Sequence, residues 1–130
     1  MIEIEKIRVK DVMSTPVFTI NGNATVKEAA DFMIKNGCRG LVVEKTDEED
    51  AYGIITVKDI VYKVIAKGLP LEKVKVLEIM TKPCITVPEF YDIKYAAKLM
   101  EMTGLVRLPV TRGDEVVGII TLRDIIKPFL

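Results

Sequence analysis

The stretch Gly53-Ile54-Ile55-Thr56-Val57-Lys58-Asp59 returns as Gly118-Ile119-Ile120-Thr121-Leu122-Arg123-Asp124, so the chain is one unit written twice. Upstream of this phrase an offset of 67 positions aligns residues 12–16 with 79–83, Ala29-Ala30 with Ala96-Ala97, Met33 with Met100, Gly37 with Gly104 and residues 41–43 with 108–110. Two residues then drop out of a polar loop and the offset becomes 65. Conservative replacements keep step, Lys58 with Arg123, Ile20 with Val87 and Val26 with Ile93. A repeated unit that cannot bury its own apolar face packs against its copy.

Composition agrees with a globular pair. The 130 residues suit two halves of roughly 60 residues each. Apolar residues make up 49% and charged residues 29%, enough for a core and for a solvated surface. Net charge is zero, which argues against a nucleic-acid or anionic-membrane surface. The first ten residues alternate charge and apolarity, unlike a signal peptide, and no apolar run approaches the ~20 residues of a membrane span, so the expected address is the cytoplasm. Histidine is absent, which removes the commonest metal ligand and general base. Cys38 aligns with Leu105 and Cys84 with Val17, so both read as small buried hydrophobes.

Each repeat follows one pattern. An extended lead-in ends at Pro16 or Pro83, and a short strand follows, over residues 17–20 or 84–87. A helix comes next. Thr25 and Asp92 are its expected N-caps, with Thr25 and Glu28 at capping-box spacing, and Gly37 and Gly104 its C-terminal stops. Val26, Ala29, Ala30, Met33 and Ile34 share one helical face, as do Ile93, Ala96, Ala97 and Met100. Two strands then flank a turn, long and acidic over residues 46–50 and tight at Arg112-Gly113-Asp114. A second helix follows each Gly-Ile-Ile-Thr phrase, from Asp59 to Lys67 before Gly68 in one repeat and from Asp124, cut short at Pro128, in the other. The expected class is α/β (α+β), two β-α-β-β-α repeats over residues 1–68 and 69–130 that form one compact module.

The lead-in Val9-Lys10-Asp11-Val12-Met13-Ser14-Thr15-Pro16, the helix ends Asn36-Gly37 and Thr103-Gly104, the strand Arg107-Leu108-Pro109-Val110 and the doubled Gly-Ile-Ile-Thr-x-x-Asp phrase together resemble the CBS domain, named from cystathionine β-synthase. The resemblance covers residues 9–126 as a tandem pair, and departs from the pattern at Val42, where the second repeat has Pro109. It implies a stand-alone Bateman module, with the repeats packed sheet to sheet about a pseudo-two-fold axis. It further implies two clefts between the repeats that take AMP, ADP, ATP or S-adenosylmethionine. Modules of this kind regulate an enzyme, channel or transporter. A homodimer and an unidentified protein partner are therefore expected, and no catalytic role.

By the same resemblance, Asp59 and Asp124 would hold a ribose and Thr56 and Thr121 a phosphate, with Lys58 and Arg123 adding charge beside them. The cleft of Thr121 and Asp124 would be completed by Met13, Ser14, Pro16, Val17, Phe18, Cys38 and Arg39. That of Thr56 and Asp59 would be completed by Met80, Thr81, Pro83, Cys84, Ile85, Leu105 and Val106, and Arg107 would reach phosphates as Arg39 does. The chemistry is consistent: an ionised carboxylate accepts both hydroxyls of a ribose, and N–H groups at a helix start suit a phosphate. Thr-x-x-Asp is also a capping box, and both roles fit these four residues. A module that binds partners or dimerises without any small ligand is the alternative function. An enzyme is disfavoured, because there is no histidine, no cysteine–base pairing and no Walker phosphate loop.

Overall fold

A computed structural model describes residues 6–130. In chain order it contains α1 (Val9–Val12), β1 (Thr19–Ile20), α2 (Val26–Asn36), β2 (Gly40–Val43), β3 (Gly53–Thr56), α3 (Val57–Ile60), α4 (Val76–Ile79), β4 (Val87–Pro88), α5 (Ile93–Thr103), β5 (Arg107–Arg112), β6 (Glu115–Thr121) and α6 (Leu122–Ile126). A π-helical turn, Val61–Ile65, prolongs α3, and a short 3-10 turn, Lys127–Phe129, follows α6. The expected order of strand, helix, strand, strand, helix is present twice, and the chain is of the mixed α/β class. No helix among the described residues is long and apolar enough to cross a membrane.

Two compact units form, and their seams do not fall between the repeats. One is continuous, Phe18–Cys84; the other is split, joining residues 6–17 to Ile85–Leu130. Each lead-in therefore packs on the body of the opposite repeat. In the continuous unit the sheet order is β1-β2-β3, with β1 parallel to β2 and β2 antiparallel to β3; in the split unit β4-β5-β6 repeats this arrangement.

One residue accounts for a difference between the sheets. Val42 donates its N–H to Phe18 O at 3.1 Å, and the parallel pairing begins at Thr19 with Val42. Its counterpart Pro109 has no N–H to give, so β4 and β5 first pair one residue later, at Val87 with Val110.

The long helices form where their caps predict. Thr25 Oγ1 accepts Glu28 N–H at 3.1 Å and Asp92 Oδ1 accepts Lys94 N–H at 2.8 Å, while Gly37 and Gly104 close the helices at positive φ. The reciprocal half of the expected capping box at Thr25 is not made; the backbone there bridges to Lys75 instead. Val26, Ala29 and Met33 are buried against Leu41, Val43 and Ile55, and Ile93, Ala96 and Met100 against Leu108, Val110 and Ile120. Ile34, expected inside, is 80% exposed, because it lies a further 100° around the helix from Met33, beyond the buried stripe. The second helices begin at Val57 and Leu122, two residues ahead of the expected Asp59 and Asp124, because Thr56 and Thr121 are their N-caps. The later part of the first takes the π-helical form, with Ala66 N–H donating to Val61 O at 2.8 Å.

Each lead-in is fastened to its unit in the same three steps. Val9 N–H donates to Tyr91 O and Ile93 N–H to Ile7 O, matched by Val26 N–H to Val74 O and Val76 N–H to Ala24 O. Lys10 N–H then reaches Glu89 O, as Leu77 N–H reaches Gly22 O. Finally Ser14 and Ile119 exchange backbone hydrogen bonds of 2.7 and 3.0 Å, and Thr81 and Ile54 exchange two of 2.9 Å. The glycines of the repeated phrase make this approach possible. A Cβ on Gly118 would lie 2.9 Å from Met13 Cγ and closer still to its sulfur, and one on Gly53 would lie 2.9 Å from Met80 Sδ. Gly118→Ala is expected to lower unfolding free energy by about 1–3 kcal/mol through overpacking. Urea denaturation measures it, and an unchanged midpoint would show that Met13 moves aside freely.

Glu89 is 1% exposed and is held by the Arg112 guanidinium, which donates Nε–H to Oε2 and Nη2–H to Oε1. The hydrogen bonds from Arg112 outweigh the burial of Glu89 and hold its carboxyl below the ordinary carboxylate range. The folded group titrates below its unfolded value, so the pair stabilises the fold at neutral pH, and that contribution is lost as pH falls through the folded titration. The acid limb of a stability–pH curve should be shallower for Glu89→Gln than for the native chain. Parallel curves would show that the carboxyl is not linked to folding.

Candidate functional site

The two repeated phrases end their strands at matching corners. Thr56 closes β3 and caps α3; Thr121 closes β6 and caps α6. At both corners the full capping box forms. Asp59 N–H donates to Thr56 Oγ1 at 3.2 Å and Thr56 N–H to Asp59 Oδ2 at 2.9 Å; Asp124 N–H donates to Thr121 Oγ1 at 3.3 Å and Thr121 N–H to Asp124 Oδ2 at 2.9 Å. A backbone bond ties each helix start to the strand beside it, Val57 N–H to Arg39 O at 3.0 Å and Leu122 N–H to Val106 O at 3.3 Å. The helix-capping role is thus realised at all four residues. Each carboxylate still has lone pairs to spare.

The corners differ in what the lead-in supplies. In the split unit, Ser14 Oγ lies 3.1 Å from both oxygens of Asp124, which is only 6% exposed. In the continuous unit Thr81, the counterpart of Ser14, bonds Ile54 through its backbone, and the carboxylate is met instead by Lys63, whose Nζ is 3.2 Å from Asp59 Oδ1 and donates to Ile79 O at 2.9 Å. Thr56 Oγ1 also donates to Asp59 Oδ2 at 3.0 Å. Lys63 carries no mark in the repeat alignment. Only its spacing of four residues from Asp59 on a helix signals the pair.

The split unit holds Met13, Ser14, Pro16 and Val17 with Thr121, Arg123 and Asp124, and also Ile85, Leu105, Val106 and Arg107; the continuous unit holds Thr56, Lys58 and Asp59 with Met80, Thr81, Pro83 and Cys84, and also Phe18, Cys38 and Arg39. So each aspartate shares a unit with the lead-in expected to complete its cleft. Phe18, Cys38 and Arg39, assigned to the Asp124 set, belong to the unit of Asp59, and Ile85, Leu105 and Val106 are exchanged in the same way. Pro16 and Pro83 follow cis peptide bonds. Phe18 meets Phe32 edge-on at 5.3 Å between ring centres, and the Lys58 ammonium lies 5.7 Å from the Tyr62 ring centre. Arg39 and Arg123 are exposed. Cys38 and Cys84 are free, half-buried thiols whose titration burial pushes up. In the acidic loop Asp50 accepts Lys82 Nζ at 2.6 Å and both donors of Thr46 at 2.9 Å, which hold its carboxyl well below the ordinary range. Among the described residues no group of histidine, cysteine or acidic side chains is arranged to hold a metal ion.

Thr56→Val and Thr121→Val each remove the hydroxyl of a cap and should each cost about 1 kcal/mol of unfolding free energy. Urea titration of both variants checks this; no loss in either would mean that the helix starts are fixed by packing alone.

A sequence model of the CBS domain matches residues 9–66 and 76–130. An uncharacterized protein of Methanopyrus kandleri is 34% identical over 130 residues, covering 98% of this chain and 66% of that protein. The chain spans between 23% and 67% of the lengths of four curated relatives it matches. Among solved structures, a hexameric CBS-CP12 protein from bloom-forming cyanobacteria superposes with a TM-score of 0.91 at 41% identity, covering 94% of this chain and 67% of that one. The CBS domain pair of protein MJ0100, in complex with 5′-methylthioadenosine and S-adenosyl-L-methionine, gives 0.82 at 34% identity over 96% of this chain and 97% of that one.

Proposed function

The chain belongs to the CBS-domain family, and from that premise we propose that it is a regulatory module binding an adenosine compound (AMP, ADP, ATP or S-adenosylmethionine) at the corners of Asp59 and Asp124 and signalling to a separate protein. The observation that carries this reading is the Asp124 corner. A nearly buried carboxylate is oriented by the Thr121 N–H, with a single neutral hydroxyl from Ser14 set across its free side. A ribose diol replaces that hydroxyl with two equivalent donors, so burial of the carboxylate strengthens the exchange rather than opposing it. The adenosine ligands of the MJ0100 pair support the class of compound. The phosphate end lies beside Thr56 and Thr121, where Lys58 and Arg123 add charge. Met13 and Val17, or Met80 and Cys84, supply apolar wall for the base. The ligand acts on the partner through the difference in its affinity for two states of the module.

A second reading, a dimerising module without ligand, is favoured by the apolar side chains left outside the second helices. Tyr62 is 62% and Phe129 63% exposed, with Ile65 and Ile126 also half out. Homodimerisation through these helices belongs to both readings. Calorimetric titration of nucleotide-free protein with AMP, ADP, ATP and S-adenosylmethionine separates them. At least one is expected to bind in the micromolar range, about −8 kcal/mol, and to lose binding in Asp59→Asn/Asp124→Asn. A folded protein that takes up none of the four leaves the ligand-free module.

A further inference from the structure

We propose that Lys63 is a built-in competitor for Asp59, so that the two corners are filled in order: the Asp124 corner first and the Asp59 corner only after Lys63 has been displaced. This rests on the reading of the two aspartates as ribose acceptors. At Asp59 both carboxylate oxygens are already engaged by the chain. Oδ2 takes the N–H and the hydroxyl of Thr56, and Oδ1 faces the Lys63 ammonium at 3.2 Å. Lys63 is itself anchored, donating to Ile79 O at 2.9 Å in the lead-in of the same unit. A ribose must break an ion pair between groups of opposite full charge, whereas at Asp124 it displaces a neutral hydroxyl from the carboxylate.

Asp124 has no such occupant at the matching place. With Asp59 aligned to Asp124, Lys63 aligns to Pro128, which carries no cation. The backbone diverges at the same point, a π-helical turn in one unit and a 3-10 turn in the other. Ser14 gives Asp124 one proton shared between two oxygens, a weaker hold than an ammonium. The Lys63 side chain is 43% exposed, so water screens the pair and favours a displaceable clamp over a permanent one.

The test uses adenosine, which carries no phosphate to attract Lys63. In the native chain Asp124→Asn should weaken the first binding step at least tenfold, and Asp59→Asn should change it less than about twofold. In the Asp124→Asn background, Lys63→Met should strengthen adenosine binding by about fivefold, and Lys63→Arg, which keeps the clamp, should leave it within about twofold. Native chain that binds adenosine, but whose affinity falls more with Asp59→Asn than with Asp124→Asn, or does not rise with Lys63→Met, overturns the ordered filling and leaves the proposed function standing. No binding by any folded variant, nor of any of the four adenosine compounds, removes the proposed function and this inference with it.

Discussion

The contact on which the rest of the structure depends is a methionine laid over a glycine. Met13 covers Gly118 and Met80 covers Gly53, each so closely that a Cβ on the strand would have to displace the methionine. That closeness lets Ser14 and Thr81 hydrogen-bond to the middle of the repeated phrase, at Ile119 and Ile54. Three residues further on, the same phrase turns into a helix with a carboxylate in its first turn. The lead-in is therefore held at a fixed place beside the carboxylate by apolar packing and backbone bonds, before any polar side chain takes part.

Symmetry at the level of the backbone is combined with asymmetry at single residues. Both corners have the same capping box and the same strand-to-helix tie. They differ where a lysine in one unit is matched by a proline in the other, and where a serine hydroxyl reaches a carboxylate that its threonine counterpart does not. Glu89 and Arg112 have no equivalent either, since Gly22 and Lys45 occupy those positions. Duplication supplied the frame, and these exchanges set the electrostatics inside it.

Much of the fold was legible because local signals agreed with each other. Thr25, Asp92, Gly37 and Gly104 mark the long helices, and the doubled phrase marks both strand-to-helix corners. What was not legible is long-range. Residues 9–16 by themselves do not say that they pack on the body of the other repeat, because a lead-in with its three-step ladder of backbone bonds looks the same whichever repeat receives it. Only the resemblance, which set Met13 and Ser14 beside Asp124, implied it. Ile34 sits at the edge of an apolar stripe, where periodicity does not resolve inside from outside. The site residues were named by resemblance, which carries Asp59 and Asp124 but is silent about Lys63, since the neighbour that fills a carboxylate's second oxygen belongs to this chain and not to the pattern.

The exchange of lead-ins also bears on the order in which the protein is made. Residues 18–84 form the continuous unit, so that unit has its whole chain once Cys84 has left the ribosome. Residues 6–17 are synthesised earlier than any of it, yet the sheet they complete ends at Thr121. Residues made before the continuous unit thus find their place only after it, and the Asp124 corner is finished only once Asp124 itself has been made.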